Sequence, residues 1–278
     1  MKITYYGTAA AEAMPALFCY CDHCERARKA GGKNIRTRSQ ALINDDLLID
    51  FPVDTYMHII NYGLDLRSIE QIIITHSHED HLYPLDFGNL RPPFAHRKPD
   101  ANPVSIYTSE NSSKGLVEVL ESTKVAGEYA VHHTVRPFET YQIGRYAVTP
   151  LLANHAMKLD PLIYAISDGE KSMLYANDTG WFLPETWDYL EKNKPYFSFV
   201  SLDCTCTSDK TPYADNHMNL LTCSNVKKKM LEIGCADSDT VFCVHHFSHN
   251  GGYTYDELVS VAAELGFIVS YDSMEYEF

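Results

Sequence analysis

The sequence predicts an α/β fold in which two β-sheets pack together and carry helices on their outer sides. Three observations support this. Short apolar runs of strand length recur along the chain. A β-rich opening gives way to alternating strands and helices, and the pattern occurs twice. Polar residues out of keeping with a core recur where apolar strands end. In chain order, strand-like runs fall at Ile3 to Tyr6, Ser39 to Ile43, Leu47 to Asp50, Gln71 to Thr75 and Val104 to Thr108. Further runs lie at Tyr146 to Leu152, Leu162 to Ser167, Ser172 to Ala176, Tyr196 to Leu202, Thr240 to His245 and Phe267 to Tyr271. Helical periodicity appears at Val53 to Tyr62, Ser109 to Ser122, Pro184 to Asn193, Cys223 to Ile233 and Thr254 to Leu265. Ser109 and Thr254 suit N-caps, and Gly266 suits a helix stop. With no long linker or low-complexity segment, residues 1–278 read as a single domain.

A chain of 278 residues with 45% hydrophobic content can bury a substantial core. The opening Met1-Lys2-Ile3-Thr4-Tyr5-Tyr6 alternates like a strand, unlike a signal sequence, and no apolar run of about 18 residues occurs. Neither secretion nor membrane insertion is therefore expected. The eight cysteines crowd at Cys19, Cys21 and Cys24 and are otherwise scattered, unlike a disulfide framework, so a reducing cytoplasm is expected. A net charge of −14 argues against long nucleic acid as a partner, since the only dense basic stretch, Arg26 to Arg38, is short. A small molecule is the expected partner. Oligomeric state is open, a homodimer included.

The richest chemistry follows the apolar run Gln71-Ile72-Ile73-Ile74, in Thr75-His76-Ser77-His78-Glu79-Asp80-His81. On a tight loop after a strand, side chains point in alternating directions. His76 and His78 can converge on one cation while Asp80 and His81 turn towards a second, and imidazole with carboxylate suits zinc, manganese or iron. Three later strand-like runs end in His155, Asp178 and the pair His245-His246. Taken singly, His155 reads as a loop histidine and Asp178 as a turn cap before Gly180. Their shared placement at strand ends favours one common site.

This order of residues resembles the metallo-β-lactamase superfamily. The resemblance covers nearly the whole chain and implies an αββα sandwich of two mixed sheets. His76, His78 and His155 would hold one metal, Asp80, His81 and His246 another, and Asp178 would bridge both. The N-terminal motifs narrow it. Gly7-Thr8 leading to Pro15, then Cys19-Tyr20-Cys21-Asp22-His23-Cys24, resembles the accessory phosphodiesterase family of the carbon-phosphorus lyase pathway. In that family a final H-x-x-H histidine joins three cysteines around a structural zinc. Here that histidine would be His249, a spacing that selects His246 over His245 as the cluster ligand. Three thiolates and one imidazole form a closed tetrahedral zinc site, fastening the N-terminal loop 19–24 to the C-terminal half. The alternatives are three reduced surface cysteines, or His23 as a local fourth ligand. The family's N-H-x-x-L motif after an L-D-C strand end appears as Asn216-His217-Met218-Asn219-Leu220 after Leu202-Asp203-Cys204. Two features depart from the family: alanines replace most of the first glycine-rich loop, and Tyr83-Pro84 replace a small residue and a glycine.

The resemblance implies a metal-dependent phosphodiesterase acting on a small cyclic phosphate ester of a ribose or nucleotide. Two divalent ions (zinc, manganese or iron) would activate water beside Asp80 and Asp178, with one further zinc at the cysteines. His217 is the candidate to donate to a phosphate oxygen or protonate the leaving alkoxide, against a bland reading as an N-cap or surface histidine. Rival functions are a tRNA-processing endonuclease, a hydrolase of a lactone, thioester or lactam, and a noncatalytic zinc or cofactor-precursor-binding protein related to pyrroloquinoline quinone biosynthesis. Arg36 and Arg38 are expected to anchor the cysteine loop, and His132-His133 to lie on a solvated strand edge. Tyr83, Tyr213 and Tyr253 are expected either to line a pocket or to pack in the core.

Overall fold

Apolar side chains on both faces of most strands require sheets covered on both sides. The computed structural model, which describes residues 1–278, has that arrangement. The first sheet is built from β1 (Lys2–Gly7), β2 (Gln40–Ile43), β3 (Leu47–Ile49), β4 (Gln71–Ile73), β5 (Val104–Thr108) and β6 (Ala130–Thr134). The second contains β7 (Tyr141–Ile143), β8 (Tyr146–Leu152), β9 (Leu162–Ser167), β10 (Ser172–Ala176), β11 (Phe199–Asp203), β12 (Val241–His245) and β13 (Ile268–Val269). The chain then returns to the first sheet as β14 (Met274–Glu277). The strand orders are β14-β1-β2-β3-β4-β5-β6 and β13-β12-β11-β10-β9-β8-β7. Helices α1 (Asp22–Ala30), α2 (Thr55–Tyr62), α3 (Lys114–Ser122), α4 (Pro184–Asn193), α5 (Leu220–Ile233) and α6 (Tyr255–Glu264) complete the fold.

Strand alternation sorts side chains into three apolar layers. Leu47, Ile49 and Ile73 point inward to meet Tyr164, Met173, Tyr175 and Phe199 of the other sheet. Leu48, Ile72 and Ile74 point outward onto Leu116 and Leu120 of α3. On the second sheet, Leu174, Val200 and Leu202 meet Trp187 and Leu190 of α4 and Val226 and Met230 of α5. Each such side chain, fully buried, contributes about 1.5–3 kcal/mol. The sheets are also tied at one edge, where Tyr164 Oη donates to Ile74 O (2.6 Å) and Leu162 N to Thr75 O (2.9 Å). These bonds hold the end of β4 over the second sheet.

Most expected elements are present, with shifted ends. Thr254 caps α6 in a capping box, and Gly266 follows the helix at φ +71°. Ser109 caps nothing. Its hydroxyl donates to Leu159 O, and α3 starts later, after a 3-10 turn at Asn111–Ser113. The segment 19–24 is not all loop, because α1 begins at Asp22 with Cys21 as its N-cap. Arg36 and Arg38 do not reach the cysteines. Arg36 is buried, donating to Thr8 Oγ1 and Ser270 O, and Arg38 pairs with Asp54. His132 and His133 do lie on an edge strand, β6. No helix is long and apolar enough to cross a membrane.

Candidate metal centre

β3, β4, β8, β10, β11 and β12 all deliver polar residues to one edge of the sandwich just beyond their C-terminal ends. β10, β11 and β12 run parallel, and β8, antiparallel to β9, shares their direction. This brings together every His and Asp expected of the site. Three ring nitrogens converge in one group: His78 Nδ1 lies 2.8 Å from His76 Nε2 and 3.3 Å from His155 Nε2. In a second group, Asp80, His81, Asp178 and His246 place one ligand atom each within 4.8 Å of one another. Asp178 faces both groups, with Oδ2 against His81 Nε2 and Oδ1 4.0 Å from His155 Nε2. Asp178 (φ +43°) and His246 (φ +62°) both turn through the left-handed region, a cost that tertiary contacts must offset.

Hydrogen bonds behind the clusters decide which nitrogen faces in. His81 Nδ1 lies 2.7 Å from Asp50 Oδ2, which leaves Nε2 for the cluster. Asp50 is itself fixed by Thr75, whose backbone amide and hydroxyl both donate to it. His246 Nδ1 lies 2.8 Å from Thr205 Oγ1, so its Nε2 also faces in. His245, the tandem neighbour, points away into the inter-sheet core, where it contacts Ser39 and Ser270.

The donor set fits a divalent cation. His246 Nε2 is buried without a hydrogen-bond partner, and beside it His81 Nε2 and Asp178 Oδ2 crowd directly against each other; a buried polar atom left over in such a group calls for a ligand. Burial holds His76 well below the usual imidazole value, keeping a lone pair available. Burial also opposes ionisation of Asp178, but His246 and His81 outweigh it and hold the carboxyl well below its usual range. For His81, burial is overcome by Asp178, Asp80 and Asp50, which raise it well above normal.

His217 stands at the rim. Its Nδ1 is 2.9 Å from Asp203 Oδ2 and 3.5 Å from Asp178 Oδ1, and its ring stacks on His246 at 5.8 Å. Burial disfavours charge on it, but Asp203 and then Asp178 prevail, raising its pKa to about 9. Asp203 is fully buried and also accepts from Thr205 N and Met218 N. The cap of α5 is Asn219, not His217. Gly180 lets this loop pass close, since a Cβ there would lie 2.3 Å from Ala214 O. Tyr213 packs edge-on against Trp181, and Tyr253 against the core behind the second sheet. Sequence reasoning gave no role to Asp50 or Asp203. The available signal was the same as for the other site residues: a carboxylate ending an apolar strand.

Across the N-terminal loop, the Sγ atoms of Cys19, Cys21 and Cys24 lie 3.4, 3.4 and 3.5 Å from His249 Nδ1. The amide of Cys24, at the start of α1, and then His249 pull the Cys21 thiol down to about 6, while burial pushes Cys24 up to about 11; the metal reading rests on the geometry, three sulfurs gathered about one imidazole nitrogen. His23 is turned away, with Nδ1 2.5 Å from His249 O. Glu12 lies 3.8 Å behind His249 Nε2.

Solved structures share this architecture. Zn²⁺-bound PqqB from Methylobacterium extorquens is 16% identical, with a TM-score of 0.72 over 100% of both chains. A diphosphatase from the PhnP family is 19% identical, with a TM-score of 0.71 over 100% of this chain and 97% of the other. Human tRNase Z, short form, is 15% identical, with a TM-score of 0.65 over 100% and 99%. At these identities the likeness shows the metallo-β-lactamase fold. No curated protein matches the chain. Residues 54–247 match the model of the beta-lactamase superfamily domain, and the chain belongs to that family.

Proposed function

We propose that this chain is a cytoplasmic, single-domain, metal-dependent hydrolase whose substrate is a small phosphodiester, a cyclic phosphate ester of a ribose or nucleotide. His76, His78 and His155 would hold one divalent ion, and Asp80, His81 and His246 a second, with Asp178 common to both. Zinc, manganese and iron all suit these donors. Cys19, Cys21, Cys24 and His249 would hold a structural zinc. When bound, the paired ions lower the pKa of water and neutralise charge on phosphate oxygens.

The observation that carries the phosphodiester reading is His217, held by Asp203 at the rim of both clusters. A cationic donor fixed there meets a phosphate oxygen as charge accumulates, or protonates the departing alkoxide. Acyl hydrolysis has less use for it. Asp80 and Asp178, whose carboxyls are held below their usual range, against burial, by His81 and His246, would offer acceptors that orient the attacking water. That one structure of this fold is named a diphosphatase agrees with a phosphorus substrate.

The test is a substrate panel offered to manganese- or zinc-loaded protein: bis(p-nitrophenyl) phosphate, 2′,3′-cyclic nucleotides, a thioester and a lactone. Turnover of the phosphodiesters that falls in His217→Ala at unchanged metal content is expected. Preference for the acyl substrates would overturn the reading.

A further inference from the structure

The two cluster residues in left-handed backbone, Asp178 and His246, sit on different strand ends, after β10 and β12. The residue preceding each points the other way, into the space between the sheets. Asn177 Nδ2 donates to Ser39 Oγ at 2.7 Å, and His245 Nε2 lies 3.0 Å from the same oxygen. Ser39, the residue just before β2 of the first sheet, is therefore the meeting point of two strand ends from the second sheet. All three residues are buried to 1% exposure or less.

One direction in this network is fixed by chemistry. An amide nitrogen can only donate, so Ser39 Oγ accepts from Asn177. His245 faces Ser39 Oγ with Nε2 and Ser270 Oγ with Nδ1 at 3.1 Å, and either imidazole tautomer satisfies both contacts. Tyr175 Oη lies 3.3 Å from Ser39 Oγ and completes its contacts. Asn177 Oδ1 has no partner, so the bond to Ser39 is what aims this side chain.

We infer that Ser39 is a positioning residue for the metal centre: by pinning Asn177 and His245 it holds Asp178 and His246 in the turned conformation that points both at one cation. The inference rests on the metal reading above. A rotation at either strand end moves a ligand atom by the side chain's full reach, so loss of the common pin loosens the Asp80, His81, Asp178, His246 group. The three thiols come from residues 19–24, and His249, three residues past His246, has its own anchor in the contact of its carbonyl with His23 Nδ1 at 2.5 Å, so the thiol cluster is spared.

The test is zinc retention by Ser39→Ala and Asn177→Ala against a competing chelator, with the melting temperature of the metal-free proteins as the measure of fold. Removing a group that orients ligands costs about 10- to 100-fold in metal affinity. Ser39→Ala is expected to weaken one of the zinc ions by that factor, and Asn177→Ala less, with metal-free melting within a few degrees of wild type. In the Co²⁺-substituted proteins the thiolate-to-cobalt absorption of the cysteine site is expected to stay unchanged. Zinc affinity equal to wild type in both variants overturns the inference and leaves the metal reading intact. So does a fall in metal-free melting temperature that accounts for the whole loss. Wild-type protein that takes up no zinc at its His and Asp residues overturns both.

Discussion

Asp203→Asn keeps the size of the side chain and removes one acceptor. In the native protein Oδ1 takes the amides of Thr205 and Met218, at 3.0 and 2.9 Å, while Oδ2 lies 2.9 Å from His217 Nδ1 and 3.1 Å from the Thr205 hydroxyl, which has a second acceptor in His246 O at 2.9 Å. An asparagine oriented to keep the two amide bonds turns its NH2 towards His217 and replaces an attraction with two opposed donors. A hydrogen bond to a charged group is worth about 1.5–3 kcal/mol, so kcat/KM for bis(p-nitrophenyl) phosphate is expected to fall about 10- to 150-fold. If Asp203 acts through His217, the substitution costs nothing further in a His217→Ala background. The assay is the double-mutant cycle on metal-loaded protein, with metal content measured for each variant. Full additivity of the two losses, or metal lost from Asp203→Asn alone, would refute this coupling.

Three further outcomes follow from particular contacts. Gly180→Ala forces a Cβ to within 2.3 Å of Ala214 O and 2.7 Å of Asn216 N, so the His217 loop must shift; about 10²-fold lower kcat at full metal occupancy is expected, and unchanged kcat would contradict it. Cys21→Ser removes one of three thiols facing His249; it should lower zinc content by one per chain and the melting temperature by about 10 °C, and undiminished zinc content would count against a metal there. Burial lowers His58 to about 4 from 6.5, with Asp54 facing it and Asp272 sharing its partner Thr37. Because the unfolded chain takes up this proton first, the stability from neutral His58 is complete above pH 6.5 and declines towards pH 4, by roughly 3 kcal/mol in all. Asp272, pushed up to about 6 by burial, works in the opposite sense below pH 6, so urea denaturation of wild type against His58→Gln isolates the histidine. Parallel pH profiles would contradict the assignment.

The parts of the fold that announce themselves in sequence are the strands buried on both faces, such as Leu47–Ile49 and Gln71–Ile73, where runs of aliphatic residues leave no other use. The strands that escape notice lie at or near sheet edges. β14 reads Met-Glu-Tyr-Glu with alternate residues outside, and β7 is short, while of β6 only the His132-His133 pair marks a strand edge. Helix α1 escapes because its first residues serve the cysteine cluster and its outer face is charged. Within the site, residues whose type suggests metal chemistry are visible as a pattern. Asp50, Asp203 and Ser39 act by bonds to residues distant in the chain, across 31 positions for Asp50 to His81 and 138 for Ser39 to Asn177, and no local spacing encodes such bonds. The same limit applies to His245 and His246. Spacing to His249 favours the second, while the opposite directions of the two rings are fixed by backbone turning at φ +62°.

Hydrolysis of a 2′,3′-cyclic nucleotide by manganese- or zinc-reconstituted protein, measured beside Asp80→Ala, bears most directly on the proposed activity. Asp80 belongs to the second cluster and lies 3.3 Å from His81 Nε2 and 3.9 Å from His246 Nε2. Metal-dependent turnover in the wild type that falls to background in the variant is the predicted result. Fully metal-loaded wild-type protein that leaves the cyclic phosphate intact, or turnover that survives loss of Asp80, would contradict it.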